Sequence, residues 1–118
     1  MPHLVILTLP DSERLADIIE AWDRARCPGV TIFNSIGMSH VRQSVDDLPL
    51  FPSLRALFES REVEHSTVWS VVPDGFDLDA LFDVTEQIVG PLDEPHTGIM
   101  FVVPVSHVRG LRRHTPSR

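Results

Sequence analysis

A chain of 118 residues with 42% hydrophobic and 23% charged side chains has the composition of one folded domain and is too short to build two cores. Its formal charge of -7, from 17 acidic residues against ten arginines and no lysine, argues against nucleic-acid binding, because that affinity rests on cations neutralising phosphates. Four of the arginines (109, 112, 113 and 118) fall in the last ten residues, so the remainder is more acidic still. No apolar run approaches the ~20 residues that span a bilayer, and MPHLVILTLPDSE has neither a basic leader nor a small-residue cleavage site, so the cytoplasm is the expected location.

In chain order, HLVILTL is an apolar run of strand length halted by Pro10. Asp11 or Ser12 is positioned to cap a following helix, Glu13 and Asp17 suit its N-terminal dipole, and Leu15, Ile18, Ile19, Trp22 and Ala25 share one face. Pro28-Gly29 is expected to end that helix, and VTIFNS gives a second strand. From Ile36 to Glu62, with Gly37, Pro49 and Pro52, regularity fails except for a short helical SLRALFES, which makes a long loop of functional type. EHSTVWSVVP reads as a third strand. DLDALFDVTEQIVG reads as a capped helix with Leu78, Leu81, Thr85 and Ile88 or Val89 inward and Gly90 at its end, and GIMFVVPV as a fourth strand.

This βαββαβ order predicts an α+β, ferredoxin-like fold: a four-stranded antiparallel sheet, two helices on one face, and the long loop between strands 2 and 3. A single domain is expected over residues 1–111, followed by a basic C-terminal tail at 112–118. In the fourth strand Ile99, Phe101 and Val103 point one way and Met100 and Val102 the other, so both sheet faces are apolar. A face without helices then calls for a cover, and another copy of the chain supplies one.

Candidate chemistry is sparse. Cys27, the sole cysteine, reads as a small buried hydrophobe, and Trp22 and Trp69 as core residues. The six histidines (3, 40, 65, 96, 107 and 114) include no i, i+4 helical pair and no cysteine cluster, so no metal site is assigned. Asp46, Asp47 and Glu94 fit solvated loops and turns, and no catalytic residue is assigned.

PGVTIFNSIGM, the long loop after it, STVWSVVPDGFDLDALFDVTEQIVG and TGIMFVVPVSHVRGL together resemble the P-II-like nitrogen-regulatory signalling family, from the first strand to about Leu111. That resemblance implies a homotrimer whose sheets line a central barrel. It further implies an adenine nucleotide as effector in the clefts between subunits, no required cofactor, and a membrane transporter or enzyme as the target of the long loop. By the same resemblance Gly37, Met38 and Ser39 match the base of that loop, His96, Thr97 and Gly98 the short loop before the fourth strand, and Arg109 the C-terminal arginine of the adjoining subunit.

The chain departs from the family where charge matters. HTGI stands where the family has Gly-Asp-Gly-Lys, and no tyrosine exists for uridylylation. Phosphate contact falls to Arg42, Arg55, Arg109, Arg112, Arg113 and backbone amides, so a monophosphate, cyclic nucleotide or other small anion suits the chain at least as well as a triphosphate. Gly98 marks either backbone that approaches a ligand or the bend by which the chain turns into its fourth strand. The alternative function is a small ferredoxin-like oligomeric enzyme holding an aromatic or quinone-like substrate between helices and sheet; His40 and His65 in an enclosed apolar pocket would favour it.

Overall fold

The computed structural model describes residues 1–36, 64–95 and 97–111, without the side chains of Ser35, Ile36 and Glu64. Strict alternation sets up the first strand, β1 (His3–Leu9): Val5, Leu7 and Leu9 are buried, while Leu4, Ile6 and Thr8 face the other way. β1 lies inside the sheet, antiparallel to both β3 (Glu64–Val72) and β4 (Ile99–Pro104). The remaining strand, β2 (Thr31–Ile36), pairs antiparallel with β3, giving the order β2-β3-β1-β4.

Register divides the side chains between two faces. Leu7 sits opposite Val68 and Met100 on the core face, whereas Ile6 sits opposite Trp69 and Phe101 on the other. Two helices, α1 (Leu15–Arg24) and α2 (Leu78–Val89), contribute Ile18, Ala21, Trp22 and Leu81 to the core that the sheet helps to bury. Burying an indole requires a partner for its N–H. Trp22 Nε1 donates to Thr85 Oγ1 at 3.0 Å, and that hydroxyl donates to the Leu81 carbonyl at 2.7 Å, so one polar chain ties α1 to α2 inside the core.

Three sequence expectations require correction. Neither Asp11 nor Ser12 caps α1 with its side chain. Asp11 Oδ1 instead accepts from the Glu13 amide two residues on, a local turn that satisfies the carboxylate before the helix begins, and the Ser12 carbonyl accepts from Leu15 N–H. The stop is not Pro28-Gly29 either. Cys27 N–H donates to the Trp22 carbonyl and Arg26 N–H to that of Asp23, with Arg26 left-handed at φ 72°, so a Schellman turn closes the helix after Arg24. By contrast α2 starts as expected, with Asp77 Oδ1 accepting from Ala80 N–H at 3.0 Å, and ends at Gly90.

The third correction concerns Trp69. It lies on the face away from the helices, because β3 turns Ser66, Val68, Ser70 and Val72 into the core and so sends His65, Thr67, Trp69 and Val71 to the opposite side. That open face stays apolar: Phe33, Ile99, Phe101 and Val103 are 47, 58, 41 and 41% exposed. The short helix expected at SLRALFES lies outside the described residues.

Candidate functional site

After the Schellman turn the chain buries Cys27 and runs through Pro28-Gly29-Val30 into β2. Beyond β4, Val105 N–H donates to the Pro2 carbonyl at 2.9 Å, pinning the chain as it leaves the sheet. Gly110, at φ 89° with open space where a Cβ would stand, is a glycine for its backbone conformation and not for crowding. These two segments, about 80 residues apart in sequence, meet at the end of the sheet where β2 begins and β4 ends.

Between them lies a cleft of about 380 Å³. Its walls are Pro28, Gly29, Val30 and Thr31 on one side, Val108, Arg109, Gly110 and Leu111 on the other, with Trp69 and Val71 from β3. Among the described residues Arg109 is the sole charged one in that lining, and it is exposed; Trp69 is half-buried. Mostly apolar walls with one ring and one cation suit a small organic anion, and the volume lies at the low end of the ~300–1,000 Å³ of ligand sites.

Thr97 and Gly98 stand elsewhere. Thr97 Oγ1 donates to the Glu94 carbonyl at 2.7 Å, and Gly98 turns the chain into β4 at φ 114°. A Cβ on Gly98 would lie 2.5 Å from the Thr8 carbonyl oxygen, so sheet packing by itself requires the glycine. The six residues of β4 separate Gly98 from the cleft end of the sheet, roughly 20 Å at ~3.3 Å per residue. A single chain therefore holds Arg109 and the Thr97-Gly98 turn apart. Gly37, Met38, Ser39 and His96, with Arg42, Arg55, Arg112, Arg113 and the 112–118 tail, lie outside the described residues.

Other chemistry is confined. Burial pushes the Cys27 thiol from an ordinary 9.0 up to about 12, and the charge of Asp23 adds to this. The Ser70 hydroxyl beside it pulls the other way, without a hydrogen bond of ordinary geometry to its Oγ. A thiol so raised supplies no thiolate near neutrality. Among the described residues no three His, Cys, Asp or Glu side chains converge to hold a metal. The space between helices and sheet is filled by Leu7, Ile18, Trp22, Val68 and Leu81, and His65 lies on the other sheet face, so neither feature favours a substrate chamber there. His40 lies outside the described residues.

The sequence did not single out Trp69 or the Pro28–Thr31 wall for binding. Pro28-Gly29 ahead of a strand and Arg109-Gly110-Leu111 after one were visible, but only strand register brings them together.

No protein-family model matches the sequence, and no curated protein matches it at significance. Solved structures do. The chain superposes on B. subtilis GlnK with a TM-score of 0.61 at 13% identity, over 97% of this chain and 93% of that one. It superposes on a B. subtilis GlnK–ATP complex with a TM-score of 0.59, also at 13% identity, over 89% of this chain and 82% of that one. With the β2-β3-β1-β4 order and two helices on one face, these likenesses establish that the chain has the PII-like, ferredoxin-like α+β fold.

Proposed function

We propose that the protein is a non-enzymatic, PII-like regulatory module that binds a small effector between copies of itself and controls a partner protein through the 37–62 loop. The observation that carries this reading is the separation of Arg109 from the Thr97-Gly98 turn by the length of β4. Copies arranged around the uncovered apolar face can juxtapose what one chain keeps apart. A homotrimer is the assembly proposed, by likeness of fold.

An adenine nucleotide is the effector class proposed, since one structural neighbour is an ATP complex. The site then comprises Gly37, Met38 and Ser39 with His96, Thr97 and Gly98 from one copy and Arg109 from the next. A membrane transporter or an enzyme is the proposed target, and ordering of the 37–62 loop by the effector is the proposed switch.

The test combines sedimentation with thermal melting against AMP, ADP, ATP and cyclic AMP. A trimer whose melting temperature rises with one of them is the expected result, because ligand at 100 times its dissociation constant adds about 2.7 kcal/mol to the native state. A monomer indifferent to every nucleotide would overturn the reading, as would turnover of a specific substrate.

A further inference from the structure

Trp69 is the residue whose placement the sequence least anticipated. An indole on the face away from α1 and α2, half-buried and lining a cleft, is not supporting the core, which Trp22 already fills from α1. Val71, Val108 and Leu111 give the same cleft apolar walls, Gly29 and Gly110 add backbone without side chains, and Arg109 is its one charge among the described residues. An indole offers a flat face on which planar rings stack, and a guanidinium pairs with one acidic group at a time in a fixed fork.

We propose that Trp69 is the specificity-determining residue of this cleft: a planar aromatic ring carrying a single anionic group stacks on its indole, with the anion at Arg109. This rests on the effector reading above and deepens it by naming the ligand class. The volume of about 380 Å³ accommodates a ring and one acidic group, and among the described lining residues Arg109 supplies the one cation. Stacking supplies the affinity for the ring and Arg109 orients it.

The test uses the full chain, with AMP as ring plus charge, adenosine as ring alone, ribose 5-phosphate as charge alone, and ATP as polyanion. Binding is read by calorimetry and by quenching of indole fluorescence. AMP is expected to bind most tightly and to quench. Trp69→Leu should weaken AMP and adenosine on the order of tenfold while leaving ribose 5-phosphate unchanged, in line with the loss of one base-stacking partner. Arg109→Gln should weaken AMP and leave adenosine alone.

Trp69→Phe should retain AMP binding by calorimetry yet lose the quench, because Trp22 is fully buried. Sedimentation and melting of each variant separate loss of binding from loss of assembly, and the Phe variant keeps the test alive should the Leu variant misfold. If AMP binds and Trp69→Leu leaves its affinity intact, or ATP outbinds AMP, this inference fails while the effector reading stands. Failure of every probe to bind overturns both.

Discussion

Gly98 and Cys27 show how single positions in this chain are fixed by surroundings that neither residue reveals in isolation. For Gly98→Ala the new Cβ meets backbone and not a yielding side chain, 2.5 Å from the Thr8 carbonyl oxygen, in a left-handed conformation at φ 114°. A destabilisation of about 1–3 kcal/mol is expected from the conformation alone, and more with the clash. Gly75→Ala, at φ 81° in open space, isolates the conformational part and should cost less in the same urea titration. Equal losses would mean that the β4 edge simply moves away.

Cys27 yields a pH prediction because the chain has no lysine and no tyrosine, leaving this thiol as the side chain whose protonation differs between folded and unfolded chain from about pH 9 to about 12. Its folded-state value is raised, so its contribution to stability is complete below about pH 9 and is lost as pH climbs toward about 12. The urea stability should fall by up to ~1.4 kcal/mol per pH unit over that window, and Cys27→Ala should flatten the fall whatever its cost at neutral pH. A slope unchanged in the variant would refute the assignment. The burial of Cys27 was legible in the sequence, since a free cysteine is among the most often buried residue types. The site of Trp69 was not: β3 directs two serines into the core and its largest ring away from it, so hydrophobicity pointed to the wrong face.

Elements were legible to the extent that periodicity and caps agreed. β1 and α2 follow their patterns closely, with strict alternation in one and an aspartate cap with a terminal glycine in the other. The ends of α1 were hidden, because Asp11 has a nearer amide to accept from and Arg26 occupies a position usually given to glycine. Two contrasts follow. Asp77→Ala removes a working cap and should cost about 1 kcal/mol, whereas Ser12→Ala removes no capping bond and should be nearly neutral in thermal unfolding. Arg26→Gly should raise stability by about 1 kcal/mol, since a left-handed non-glycine residue costs ~1–2 kcal/mol that glycine avoids, less glycine's greater unfolded-state freedom. A loss on Arg26→Gly would show that the arginine side chain makes a compensating contact.

At the scale of the whole molecule, the described elements cover the sheet on one side only. Helices α1 and α2 cover the core face except at β2, where Ile32 is 42% exposed, while Phe33, Ile99, Phe101 and Val103 leave wide apolar surface on the other, with Leu4, Ile6, Trp69 and Val71 half-buried among them. Uncovered apolar area of this kind carries an unfavourable ~25 cal/mol per Å² that association removes. Under the proposed assembly Phe101, opposite Ile6 and remote from α1 and α2, faces another copy. Phe101→Glu then places a charge in that interface and leaves the monomer core untouched. The expected result is a monomeric species by sedimentation equilibrium, with helix and sheet content preserved by circular dichroism and with nucleotide-induced stabilisation lost, because the Thr97-Gly98 turn and Arg109 no longer meet. Met100→Glu, one residue away on the core face, should instead unfold the chain. A Phe101→Glu protein that stays oligomeric would place the interface on another surface, and one that is monomeric yet still binds nucleotide would place the effector wholly within one chain's cleft.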